Sequence, residues 1–212
     1  MILDIKNVAV LGSGVMGSGI AAQVANAGIP VLLLDMPSAH ENKKNSLAEE
    51  AIERMRSADP ALFMSPEAIK RVTPGNFDDD LEKVKNCDWV IEVIVEKLEI
   101  KQALYAKLEK FIKSTTLVSS NTSTIPLHKL IEGRSETFQK NFTITHFFNP
   151  PRYMRLLEMI KGPKTSRETV DVLEDFCDVR LGKGVVLCND TPGFIGNRIG
   201  TFWLQTGMLT AL

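Results

Sequence analysis

The sequence is poor in cysteine, in aromatic residues and in net charge. Its three cysteines, Cys87, Cys177 and Cys188, are odd in number and lack CxxC spacing. That argues against a disulfide scaffold or a thiolate metal site, and for free buried thiols in a reducing, cytosolic compartment. With 25 basic and 26 acidic residues the net charge is −1, so no global field recruits nucleic acid or an anionic membrane. An anionic partner would have to be held by local devices. No apolar run reaches the roughly 18 to 20 residues that a membrane helix needs. The opening MILDIKNVAVLGSG has neither the basic region nor the cleavage site of a signal peptide. Metal-ligand spacings, Ser/His/Asp hydrolase motifs and internal repeats are absent as well.

What is present is an ordinary globular composition over 212 residues, 44% hydrophobic and 24% charged. Short apolar runs recur: NVAVLG (7–12), PVLLLD (30–35), DWVIEVIV (88–95), TLVSSN (116–121), FTITHF (142–147), LLEMIKG (156–162) and GVVLCND (184–190). Between several of them lie segments with helical spacing, such as VMGSGIAAQVANAG and KLEIKQALYAKLEKFIKS. This rhythm predicts an α/β, doubly wound, Rossmann-like domain with a mostly parallel sheet covered on both faces.

Other stretches depart from that rhythm. Residues 38–71, charge-rich with Pro60 and Pro66 as breaks, read as an inserted helical hairpin too polar to be core. The segment EGRSETFQKNF (132–142) reads as a polar surface excursion, and Thr165-Ser166-Arg167-Glu168 as a capping box before a helix that closes on Gly182. A last helix is expected to open at Thr191-Pro192. It carries Phe202, Trp203, Leu204, Met208, Leu209 and Leu212 without a terminator, so the natural chain is expected to continue. The domain reading is 1–190 for dinucleotide binding and 191–212 for the start of an incomplete helical domain.

Gly12-Ser13-Gly14-Val15-Met16-Gly17 follows a strand and opens a helix, and Asp35 ends the next strand. In this context Gly12 permits the tight turn, Gly14 lets backbone N–H groups approach a pyrophosphate, and Gly17 lets helix and strand pack closely. Asp35 can accept ribose hydroxyls and would repel a 2′-phosphate. Met36 and Pro37 follow it with no arginine, so NAD is expected over NADP. FAD or S-adenosylmethionine on the same scaffold, or a plain tight turn with Asp35 as a helix cap, use the same residues.

His146 ends one apolar run and Glu158 sits inside the next. Either is costly alone in a buried strand. As a pair they compensate: a carboxylate on one ring nitrogen sets the tautomer and stabilises the imidazolium that forms when the other nitrogen takes a proton. Oxidising a secondary alcohol needs such a base. Arg152 and Arg155 are competing partners for Glu158, and Pro150 and Pro151 stiffen the connecting loop and restrict Asn149 to extended conformations.

The ordered stretches GSGVMGSGIA (12–21), EVIVEKLEIK (92–101), SSNTSTI (119–125), HFFNPPRYMRLLE (146–158) and NDTPGFIGNRI (189–199) resemble the L-3-hydroxyacyl-CoA dehydrogenase family over nearly the whole chain. The resemblance implies His146 as general base, Glu158 as its orienting partner, and Ser123, Asn149 and Asn197 as polar contacts near substrate and nicotinamide. Glu96, Lys101 and Asn121 would line the cofactor site together with Gly12, Gly14, Val15, Met16, Gly17 and Asp35. Plainer roles stay open: Ser123 as cap of a helix starting near Ile125, Asn197 bonding backbone at a helix crossing, Glu96 and Lys101 as a solvated helix start. His40 and His128 read as surface residues without a partner pattern.

The implied activity is NAD-dependent oxidation of an L-3-hydroxyacyl-CoA in fatty acid oxidation. The implied partners are an acyl-CoA, a second copy forming a homodimer, and in some chains a downstream enoyl-CoA hydratase portion. The coenzyme A tail would pass near Lys43, Lys44, Lys70, Arg54, Arg56 and Arg71, although a solvated helix face explains most of these charges. A dehydrogenase of a free hydroxy acid or sugar acid, and a non-catalytic, crystallin-like dinucleotide binder, are the alternative functions.

Overall fold

The computed structural model describes residues 4–39 and 43–210. The pleat of β1 (Val8–Leu11) sets up two cores: Val8 and Val10 face one, Ala9 and Leu11 the other. All four are fully buried, so this strand lies at the centre of the sheet. The apolar runs of the sequence become β1, β2 (Val31–Asp35), β4 (Trp89–Glu92), β5 (Leu117–Ser120), β6 (Phe142–Phe147), β7 (Leu156–Lys161) and β8 (Gly184–Cys188).

One strand was not expected. β3 (Val72–Asn76) contains Pro74 and Gly75, which disguise it, yet it stands at the sheet edge, where a missing N–H is tolerated. The sheet order is β3-β2-β1-β4-β5-β6-β7-β8, parallel except for the antiparallel β6·β7 pair. The order reverses between β1 and β4, and the crevice at such a switch point is where open α/β sheets bind ligands.

The helices are α1 (Val15–Asn26), α2 (Ser46–Arg56), α3 (Pro66–Ile69), α4 (Leu98–Leu108), α5 (Leu127–Leu130), α6 (Glu136–Lys140), α7 (Arg167–Asp175) and α8 (Gly196–Thr210). Among its described residues, the expected hairpin over 38–71 is one helix, α2, and the single turn α3. It does reach the core: Ala48, Ala51, Ile52 and Met55, spaced i, i+3, i+4, i+7, are buried against the α1 side of the sheet. His40 lies outside the described residues. The 132–142 segment is not a surface excursion either, because Phe138 is buried and stacks with Phe142 beside Tyr105.

Two helix starts shift. Ser166, not Thr165, caps α7, its hydroxyl accepting the Thr169 N–H at 3.1 Å. A π-helical turn (Phe176–Arg180) extends α7 and closes on Gly182, at φ +65, as expected. The last helix opens at Gly196 rather than Thr191-Pro192, after a turn in which Gly193 and Phe194 take positive φ. Its side chains Ile199, Phe202, Trp203, Leu204, Met208 and Leu209 are exposed, while Leu212 lies outside the described residues. Cys87, Cys177 and Cys188 are free and buried. Among the described residues no helix is long and apolar enough to cross a membrane.

Candidate active site

Gly12 follows β1 at the switch point. It takes φ +109, and a Cβ there would stand 2.6 Å from the Val93 carbonyl oxygen that follows β4, so no larger residue fits. At Gly17 a Cβ would collide with the Gly12 carbonyl, which is why helix and strand approach so closely. A Cβ on Gly14 would meet nothing within 4 Å, leaving its surroundings open to a ligand. No side chain caps α1 and its first turn carries no acid, so its leading N–H groups are available to an anion.

Val15 is exposed and Met16 half-buried beside this opening. A cleft of about 570 Å³ runs from Gly12 and Gly14 to Asp35 and Met36, walled by Val93 and Ile100. These residues fit a dinucleotide.

Asp35 is more committed than its motif suggests. Its Oδ2 accepts the Ser13 N–H at 2.6 Å and the Ser13 hydroxyl at 2.5 Å, and its Oδ1 accepts the Met36 N–H at 2.7 Å. Of roughly four acceptor positions on a carboxylate, one on Oδ1 remains while Ser13 stays in place. Ser13 sits inside the glycine motif, but nothing in the spacing announced this bond.

His146 on β6 and Glu158 on β7 are direct antiparallel partners, so their side chains emerge on the same face. His146 Nδ1 lies 2.8 Å from Glu158 Oε2, with His146 7% and Glu158 1% exposed. The competing arginine pairing is not realised: the Arg152 guanidinium donates to the Ala61 and Phe63 carbonyls. Glu158 Oε1 accepts the N–H groups of Ile195 at 2.9 Å and Gly196 at 2.7 Å, at the start of α8. The carboxylate is thereby fixed from both ends. Phe148 and Phe194 flank the imidazole at centroid distances of 4.7 and 5.6 Å. With Glu158 accepting from Nδ1–H, the lone pair is on Nε2, a tautomer assigned from this partner.

The other expected residues divide. The Asn121 carboxamide oxygen accepts the Phe147 N–H at 2.9 Å, tying β5 to the residue beside His146. Ser123 is held through its backbone N–H, which donates to Glu96 at 3.2 Å; it does not cap a helix at Ile125. The helix there, α5, starts at Leu127, whose N–H is received by Asp190. Asp190 also lies 3.5 Å from the exposed His128, giving that histidine a partner the sequence did not suggest. Asn149 and Asn197 are both exposed, Asn149 before the cis Pro150 peptide bond and Asn197 one residue past Gly196.

Glu96 and Lys101 are not a solvated helix start. Lys101 is 1% exposed and pairs with Glu92 at 2.6 Å and Glu96 at 3.3 Å. Burial works to raise the Glu96 carboxyl, but the Thr122 hydrogen bond, the Lys101 charge and the Thr124 hydroxyl outweigh it and hold it below the usual carboxylate range. In the 38–71 segment, Lys44 pairs with Asp79, Lys70 with Glu67 and Arg56 with Glu53, all at the surface.

Comparison with known proteins decides the family. Residues 7–191 match the family described as "3-hydroxyacyl-CoA dehydrogenase, NAD binding domain". The chain belongs to that family. A probable 3-hydroxyacyl-CoA dehydrogenase of Deinococcus radiodurans is 50% identical over 206 residues, which cover 97% of this chain and 60% of that protein. A putative fatty acid oxidation complex trifunctional enzyme of Rickettsia felis is 46% identical over 95% of this chain and 28% of its own length. The crystal structure of 3-hydroxybutyryl-CoA dehydrogenase from Escherichia coli superposes with a TM-score of 0.80 at 33% identity, covering 93% of this chain and 41% of that one.

The chain thus spans between about a quarter and three fifths of these curated relatives. As an NAD-binding domain of the 3-hydroxyacyl-CoA dehydrogenase family, it carries the glycine turn, Asp35 and the His146–Glu158 pair on one continuous sheet.

Proposed function

We propose that this domain serves the NAD-dependent oxidation of L-3-hydroxyacyl-CoA to 3-ketoacyl-CoA in fatty acid oxidation, in the cytosol and as part of a homodimer. The observation that carries the reading is the buried pair of His146 Nδ1 and Glu158 Oε2 at 2.8 Å, with Nε2 left for a substrate hydroxyl. A scaffold that only bound a dinucleotide would have no use for that pair. The expected division at residue 190 belongs to the same reading, with 191–212 opening the helical domain that would complete the substrate site and the dimer. In some chains an enoyl-CoA hydratase portion would accompany the dehydrogenase, in keeping with the relative named as a trifunctional enzyme.

NAD, when bound, supplies the hydride acceptor; Gly12, Gly14, Gly17, the open first turn of α1 and Asp35 would hold it. His146 Nε2 takes the hydroxyl proton as the C3 hydrogen leaves with its electron pair, so that the C–O bond becomes a carbonyl. The positive charge developing on the imidazole is met by Glu158, which needs no reorientation because Ile195 and Gly196 already fix its other oxygen. Ser123 and Asn149 are the polar groups proposed to receive the substrate oxygen and acyl carbonyl, with Asn197 beside them. The coenzyme A tail would run toward 38–71.

The test is NADH formation by the full-length protein on L-3-hydroxyacyl-CoA thioesters and on the matching free acids. His146→Gln should reduce kcat about a thousandfold with the fold intact. Near-wild-type turnover in that variant, or activity confined to free acids, would overturn the reading.

A further inference from the structure

Glu92 has no surface at all, yet it sits at the base of a chain of charged groups that leads to the candidate substrate turn. Its Oε1 accepts the Ile94 N–H at 2.7 Å and the Lys101 ammonium at 2.6 Å, and its Oε2 accepts the Tyr105 hydroxyl at 2.5 Å and the Ser120 hydroxyl at 2.6 Å. Every acceptor position of the carboxylate is used. Burial and the neighbouring Glu92 push the Tyr105 hydroxyl well above its usual range, so it stays a neutral donor.

Lys101 is equally buried and continues the chain upward. Besides Glu92 it reaches the Ile94 carbonyl at 3.3 Å and, at 3.3 Å, the more exposed carboxylate of Glu96. Glu96 in turn receives the Thr122 hydroxyl, the Ser123 N–H and the Thr124 hydroxyl. Two carboxylates share one ammonium, and the outer one organises the whole turn 122–124.

We propose that Glu92 is a positioning residue for the reaction: by anchoring the Lys101 ammonium from below it fixes the Glu96 carboxylate, and through Glu96 the turn that carries Ser123. The role rests on the dehydrogenase reading given above. In this arrangement Lys101 is a buried counterion between two carboxylates. A fold-only network would have no reason to extend past Glu92 and Lys101 to an exposed acid that gathers the donors of the turn 122–124.

The experiment compares the full-length protein with Glu92→Gln and with the double variant Glu92→Gln/Lys101→Met. Glutamine keeps the shape of Glu92 and can offer its oxygen to Lys101 and its amide to the two hydroxyls. The double variant leaves neither charge buried, so it should keep the melting temperature near wild type even if the single variant is unstable. Amide exchange over 122–125, followed by mass spectrometry, should accelerate about threefold in Glu92→Gln and about tenfold in the double variant as Glu96 loses its post.

In Glu92→Gln kcat should fall by a similar factor while NAD affinity, titrated by fluorescence, stays within about twofold. Wild-type exchange over 122–125 in a folded variant, or kcat recovering together with the melting temperature in the double variant, would overturn the proposal. Exchange does not depend on turnover. A wild-type protein inactive on hydroxyacyl-CoA would therefore sink the functional reading while the exchange result still judged the positioning.

Discussion

A Cβ placed on Gly19 would stand 2.6 Å from Cδ of Pro151 and 2.9 Å from its Cγ. The helix that starts at the glycine motif is therefore pressed against the loop between His146 and Glu158 with no space for a methyl group. The glycine turn and the His146–Glu158 pair are two ends of one packed unit. Lys183 supports the same loop from the other side, its buried ammonium donating to the Met154 carbonyl at 2.9 Å and to the Pro151 carbonyl.

Gly19→Ala sets two effects against each other. Alanine in a helix interior gains about 1 kcal/mol over glycine. Overpacking against a rigid proline ring costs about 1 to 3 kcal/mol. The expected net is a destabilisation on the order of 1 kcal/mol, with kcat reduced further because the His146 loop is displaced. Thermal melts and steady-state kinetics on the purified variant measure the two; an unchanged kcat would show that the contact is only structural.

Glu158→Gln should be close to neutral for folding and severe for turnover. The glutamine oxygen can still accept from Ile195 and Gly196, but its NH2 then faces His146 Nδ1. The ring must present a lone pair there, which puts the proton on Nε2, where a base cannot carry it. A loss in kcat of about a thousandfold is expected at preserved circular dichroism. A loss under tenfold would remove Glu158 from the orienting role.

Asp35→Asn tests the cofactor end. The amide keeps an acceptor for Ser13 but loses the charge that disfavours a 2′-phosphate. NAD should bind about tenfold more weakly, and the preference for NAD over NADP should shrink by about tenfold or more. Isothermal titration with both cofactors gives the ratio; an unchanged ratio would place discrimination elsewhere.

Lys183 predicts a pH dependence of stability. Burial lowers its pKa from 10.5 to about 8, with Cys177 opposing. Between these values the unfolded chain still holds the proton that the folded one has released, so stability rises with pH across that window. Below about pH 8 both forms carry it and the penalty is present in full. Against a Lys183→Met reference, wild-type unfolding free energy from urea titration should improve by on the order of 1 to 3 kcal/mol between pH 7 and 10. A constant difference would contradict it.

Much of this fold was legible before any coordinates. Buried parallel strands are written as short apolar runs, and seven such runs became strands. β3 escaped because Pro74 and Gly75 break the pattern, and only its position at the edge makes them acceptable. The α2 face was misjudged because half of its buried apolar residues are alanine, which carries little weight in a segment full of charge. The glycine turn and the pairing of His146 with Glu158 were readable, since each is a local rule: helix–strand approach in one case and a strand register of matched partners in the other.

The sequence by itself determined the α/β class, the dinucleotide turn, the family and the two residues most exposed to the cost of burial. Tertiary structure alone decided how those residues are held. Glu158 is fixed by backbone N–H groups at Ile195 and Gly196, Asp35 by Ser13, and the Ser123 turn by Glu96 above Lys101 and Glu92. Periodicity and spacing encode which residues share a face. They do not encode which donors from distant segments converge on a buried carboxylate, because that convergence exists only once the sheet has brought its strand ends together.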